Sequence, residues 1–263
     1  MSFLIITAIA GTLIALLPGL IIFVFIARKT ETMWLGAILG GIFWLAALLA
    51  RTPLLLIIDI VAPIIPPTAL LLYVAFALFF ASLLAGLFEE GFRFLFLRWQ
   101  PKFIETVKHA LTFGLGWGLG EAIMVYALDV LTIAFFYPLL IDLGIILPPE
   151  PILMLNIMFG AVERNIAIVF HVTATIFVAI AVWHRKPIYL GFAIAAHFLF
   201  NFVPISLYRF VLLYIMDSIT AAIVLYGLFT IFALLFVFLA DYFLTRAGSP
   251  GKAASTSPEP MNT

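Results

Sequence analysis

"FLIITAIAGTLIALLPGLIIFVFIA", Phe3 to Ala27, is a run of 25 residues without one charged side chain. A helix rises about 1.5 Å per residue, so the run is long enough to cross the roughly 30 Å hydrocarbon core of a bilayer. No basic residue precedes it, and it ends at Arg28-Lys29. A cleaved signal peptide has a basic start and a shorter apolar core. The run therefore reads as a retained transmembrane helix.

The rest of the chain continues in the same manner. Of its 263 residues 66% are hydrophobic and 10% charged, with mean hydropathy +1.28. A soluble domain carries about 45–50% apolar and about 25% charged residues. The pattern predicts an all-α polytopic transmembrane bundle with seven spans, near 3–27, 33–50, 68–97, 106–137, 152–183, 187–207 and 210–244. Prolines mark the breaks, in "APIIPP" (Ala62–Pro67) and "LPPEP" (Leu147–Pro151). Pro53–Val61 is apolar but short and reads as a re-entrant or interfacial piece, an eighth element. Residues 1–246 form a single integral-membrane domain, and 247–263 a disordered polar tail. Net charge is zero, which gives no reason to expect a nucleic-acid partner, and there is no cysteine. Any metal must be held by His, carboxylate or amide groups.

Basic residues orient the bundle. With the N-terminus outside and the C-terminus inside, the cytoplasmic face collects Arg28, Lys29, Arg98, Lys102, Lys108, Arg185, Lys186, Arg246 and Lys252. Only Arg51 and Arg209 fall outside. The expected location is the plasma membrane, as a multi-pass protein in contact with lipid.

An ionisable group at membrane depth costs several kcal/mol and faces the bundle interior. The third span carries Glu89, Glu90 and Arg93, and the fourth Glu121 and Asp129. The fifth carries Glu163, Arg164 and His171, the sixth His197 and Asn201, and the seventh Asp217. Counted from the inner ends at about 1.5 Å per residue, Glu90 lies about 11 Å deep, His197 about 15, Trp117 about 17, His171 about 18 and Glu121 about 22. Four helices thus bring polar groups to one layer. Glu89 and Glu90 are spaced to reach Arg93 on one helix face, and His197 shares a face with Asn201. "GLGWGLGEA" (Gly114–Ala122) holds two GxxxG pairs, Gly114/Gly118 and Gly116/Gly120, which let a neighbouring helix approach closely. Asp59, Asp129 and Asp217 have no visible partner and receive no role.

A catalytic zinc takes three ligands from His and Glu or Asp and leaves a position for water. His171, His197 and Glu121, with Glu89 as a further candidate, meet that requirement for a divalent metal, zinc in the first place. A nearby carboxylate, Glu89 or Glu90, takes the proton of the water. Arg93 holds a carboxylate ionised, and Asn201 orients a ligand or binds an oxyanion. Glu163-Arg164 reads as a structural ion pair near the outer interface.

"FEEGFR" followed by "HFLFN" resembles the motifs of the CPBP group of CAAX prenyl proteases and bacteriocin-processing enzymes, although that group's arginine usually lies one residue further on than Arg93. The order "LFEEGFRFLFLR", "GLGWGLGEA", "ERNIAIVFHV" and "AIAAHFLFNF" resembles the YhfC family of membrane peptidases more closely, over residues 85–202. The resemblance implies an intramembrane metalloprotease that cleaves a membrane-associated peptide near the cytoplasmic face. Glu89 and Glu90 would be its site glutamates, completed by His171, His197 and Asn201. That family pattern has a histidine where this chain has Trp117, which cannot ligate a metal. The substitution removes a ligand, leaves Glu121 in its place, or marks a non-catalytic relative that binds a partner. A transporter with a buried Glu/His/Arg relay is a further alternative, without the repeated halves such proteins show.

Overall fold

A computed structural model describes residues 3–27, 31–145 and 149–248. They include seven helices long and apolar enough to cross a membrane: α1 (Phe3–Ala27), α2 (Glu31–Ile64), α3 (Pro67–Trp99), α4 (Val107–Asp142), α5 (Glu150–Trp183), α6 (Ile188–Ile215) and α7 (Ser218–Ala247). Among the described residues there is no strand. Hydrocarbon offers no water to a free backbone N–H, so an unbroken helix is the cheapest way across. The chain is an all-α, multi-pass integral membrane protein. Arg28, Lys29, Lys252 and the tail from residue 249 onward lie outside the described residues.

The same physics corrects the reading of Pro53–Val61. Helix α2 continues through Pro53 to Val61 and closes in a 3₁₀ turn at Ala62–Ile64. No separate re-entrant piece exists there. Pro53 removes one backbone donor, whereas ending the helix in lipid would strand several. Arg51, expected in an outer loop, therefore sits inside α2. Asp217 gains a role as the N-cap of α7. Its Oδ1 accepts from the backbone N–H groups of Ile219 at 3.1 Å and Thr220 at 3.0 Å. The Thr220 hydroxyl, which donates to Oδ2 at 2.6 Å, is the main cause holding this carboxyl below its ordinary range.

Helix α5 is the centre of the bundle. Of its most apolar window 72% is buried, against 28% or less for the other six helices. It packs against α1, α3, α4, α6 and α7, while α2 packs on α3 and α4. Phe25, Ile60, Leu72 and Leu95 are exposed on the outside, which suits a lipid-facing surface.

Lipid tails are as apolar as leucine, so association of the helices depends on close packing. The two GxxxG pairs of α4 serve different neighbours. A Cβ on Gly116 would lie 2.0 Å from the Ala37 carbonyl oxygen, and one on Gly120 2.6 Å from the Gly41 Cα, both on α2. On the other face, a Cβ on Gly114 or Gly118 would meet the Cα of Val172 or Ile168 on α5 at 2.8 Å. Helix α4 is clamped from both sides. Helices α3 and α6 meet in the same way at Gly86, whose Cβ would lie 2.8 Å from the Ile194 carbonyl oxygen. That approach comes one turn before Glu90 and beside His197.

Gly116→Ala is therefore expected to lower stability by about 1–3 kcal/mol through overpacking, measured by reversible unfolding in mixed micelles. Gly191, with nothing within 4 Å of its Cβ position, accepts alanine without loss.

Candidate metal centre

Adjacent residues on a helix point about 100° apart, and Glu89 and Glu90 accordingly serve different partners. Glu89 Oε1 accepts from Arg51 Nη1 at 2.8 Å, and its Oε2 accepts from Trp117 Nε1 at 3.2 Å. Glu90 Oε2 accepts from Arg93 Nη1, and its Oε1 lies 2.8 Å from His197 Nδ1. Each carboxylate is thus held by donors from two residues, one per oxygen. Glu89, Glu90, Arg93, His171 and His197 are all buried, none more than 3% exposed.

Arg93 ties the cluster together. Its Nη2 lies 3.2 Å from His171 Nδ1, and its guanidinium stacks over the Trp117 ring at 4.2 Å. His171 Nε2 lies 2.5 Å from Glu121 Oε2, and Glu121 Oε1 accepts from Arg164 Nη1 at 2.6 Å. Arg164 also donates to Glu163. The chain of bonds runs through α2, α3, α4, α5 and α6. A π-turn at Ala122–Ala127 begins directly after Glu121. Such turns are frequent at functional sites, because they shift the register of the side chains that follow.

Guanidinium groups only donate, and carboxylates only accept. With neutral imidazoles, His171 therefore carries its proton on Nε2, directed to Glu121, and its Nδ1 lone pair accepts from Arg93 Nη2. His197 carries its proton on Nδ1, directed to Glu90, and presents an Nε2 lone pair. A histidine that ligates a metal normally donates its other ring N–H to a carboxylate in this manner.

One ligand atom each from Glu89, His171 and His197 falls within 4.8 Å of the others. Two imidazoles and a carboxylate are a donor set that catalytic zinc accepts. Glu89, Glu90, Glu121 and Glu163 face Arg51, Arg93 and Arg164, which leaves one negative charge that a cation would offset. The residues present fit a divalent metal.

The structure brings together Glu89, Glu90, Arg93, Glu121, His171 and His197. Glu89 shares a triangle with His171 and His197, and Glu121 lies behind His171; both oxygens of each of these carboxylates already have a hydrogen-bond partner. Asn201, one turn beyond His197 and half-buried, takes part in none of these bonds. Arg164 links the Glu163-Arg164 pair to the cluster through Glu121. Arg51 was missed from sequence. Its signal was an arginine interrupting an apolar run that resumes beyond Pro53. Trp117 is no ligand, but its indole N–H holds Glu89.

A multi-pass helical bundle enclosing a Glu/His/His triangle is the architecture of a membrane protein with a built polar centre. The chain matches the YhfC intramembrane metalloprotease family over residues 13–144 and 148–236, and it belongs to that family. It is 34% identical over 146 residues to the "Uncharacterized membrane protein YhfC" of Bacillus subtilis (strain 168), covering 49% of this chain. The match spans 56% of that relative's length. No solved structure matches the chain.

Proposed function

We propose that the cluster is the hydrolytic centre of a membrane metallopeptidase that cleaves a membrane-associated peptide near the cytoplasmic face. The observation that carries this reading is the Glu89, His171 and His197 triangle, buried within helices that span a membrane. Family membership supports the reaction class. Seven spans with the N-terminus outside would put the inner end of α3 in the cytoplasm, in a plasma membrane.

Glu89 Oε, His197 Nε2 and His171 Nδ1, the last after giving up its bond to Arg93, would hold the ion, zinc being the metal that suits the set. When bound, such an ion acidifies a water and polarises the scissile carbonyl. Glu90, or Glu89 through the oxygen that does not hold the ion, would take a proton from water. Each has one donor per oxygen and so keeps a lone pair free on each. Glu90 and Glu121 fix the tautomers of the two histidines. Arg93 and Arg51 hold the glutamate carboxylates in place through charge-assisted hydrogen bonds, and the surrounding bundle excludes bulk water. Asn201 is the remaining donor for an oxyanion, from the same face of α6 as His197.

Cleavage of a membrane-embedded peptide in proteoliposomes is expected to disappear in the Glu89→Gln/Glu90→Gln double variant. Unchanged cleavage there would end the proposal. A second reading rests on Trp117. An indole donating to Glu89 at the position where the family resemblance led us to expect a histidine suits a non-catalytic relative that binds a membrane segment. Partner binding without any cleavage would favour it.

A further inference from the structure

At the end of the bundle where α3 and α5 terminate lies a second polar feature, away from the Glu/His cluster. It is a pocket of about 650 Å³ between the last turns of α3 and α5 and the loops that follow them. Arg98 and Arg185 both line it, with Phe94, Pro101, Trp183 and Pro187 among the walls. The volume falls within the ordinary range of ligand sites, about 300–1,000 Å³.

The two arginines are without carboxylate partners. Among the described residues neither takes part in an ion pair. Arg185 has φ 53, in the left-handed region that a non-glycine residue enters at a cost. This turn closes α5 and brings Arg185 into the same pocket lining as Arg98. The wall is braced, because Trp183 Nε1 donates to the Ile104 carbonyl at 2.6 Å and so ties the end of α5 to the loop after α3. Trp99, Leu95 and Ile188, next to the lining residues in sequence, are 72%, 64% and 65% exposed. Exposed tryptophan beside exposed aliphatic side chains belongs at the level of lipid headgroups.

A pocket with apolar walls, two unpaired guanidiniums and a rim at the bilayer boundary calls for an amphiphile with an anionic head. Guanidinium forks match phosphate oxygens in pairs. We propose that this pocket binds the phosphate headgroup of an anionic phospholipid, held between Arg98 and Arg185. The site is independent of the hydrolytic reading.

Full-length protein in detergent is titrated with phosphatidylglycerol or phosphatidylcholine and the bound lipid counted by native mass spectrometry. Wild type is expected to bind phosphatidylglycerol at least tenfold more tightly. Arg98→Gln/Arg185→Gln removes that preference, while Lys102→Gln/Lys186→Gln, with the same loss of charge on the neighbouring loops, keeps it within about twofold. Equal binding of the two lipids by wild type would overturn the proposal. So would an equal loss in the lysine pair, which would mean general surface charge. Displacement of phosphatidylglycerol by millimolar inorganic phosphate would assign the pocket to a soluble anion and overturn the lipid assignment. The lipid preference and the phosphate competition are measured on wild type, so they decide the matter even if the arginine pair fails to fold.

Discussion

Replacing Arg93 with methionine is expected to lower the stability of the folded bundle by about 3–5 kcal/mol, the usual cost of deleting one partner from a buried ion pair. Arg93 is fully buried and touches Glu90, His171 and Trp117. Its removal leaves the buried Glu90 carboxylate without its counter-charge. Arg93→Lys recovers little, because one compact ammonium cannot bond Glu90 and His171 and also lie flat on the indole. Adding Glu90→Gln to Arg93→Met removes the stranded charge, so the double variant should be more stable than the sum of the single losses implies. Arg246→Met, at an exposed position, should stay within about 0.5 kcal/mol of wild type. Unfolding in mixed micelles measures all of these. A loss below about 1 kcal/mol for Arg93→Met would show that the charge network does not hold the helices.

The second large effect separates ligands from the groups behind them. His171→Ala, His197→Ala and Glu89→Gln each delete a corner of the triangle and should weaken zinc binding by more than about 100-fold. Glu121→Gln leaves the triangle whole and disturbs only the partner of His171 Nε2, for which about 10–100-fold is expected. Competition against a chromophoric chelator ranks the four. If Glu121→Gln costs as much as His171→Ala while Glu89→Gln costs nothing, the carboxylate ligand is Glu121 and the geometry has been misread.

The seven spans were legible because each is a long apolar run bounded by charge or proline, the most direct signal a membrane sequence carries. The polar layer was legible for a related reason. Charges inside such runs are few, and a constant rise per residue converts their positions into depth, so Glu90, His171, His197 and Glu121 could be grouped before their contacts were known. Arg51 was not legible, because proline is read as a boundary and Pro53 stands two residues further on. Within a bilayer the cost of exposed backbone outweighs one missing N–H, and α2 runs on. That Glu89, rather than Glu121, shares the triangle with His171 and His197 was also out of reach. Depth does not give the rotation of a helix about its axis, and that rotation is set by the glycine contacts of α4 with α2 and α5. The double service of those glycines could be suspected from their spacing, but not the neighbour each pair faces.

Glu89, His171 and His197 are proposed to form one metal site in a protein that folds around it. The most direct measurement is the metal content of protein purified without chelator, by inductively coupled plasma mass spectrometry. It is compared with a Glu89→Gln/His171→Ala/His197→Ala variant shown to be folded. About one divalent ion per wild-type chain is expected, and none in the variant. Wild type that remains free of metal after dialysis against micromolar zinc, or a variant that retains a full equivalent, would contradict it.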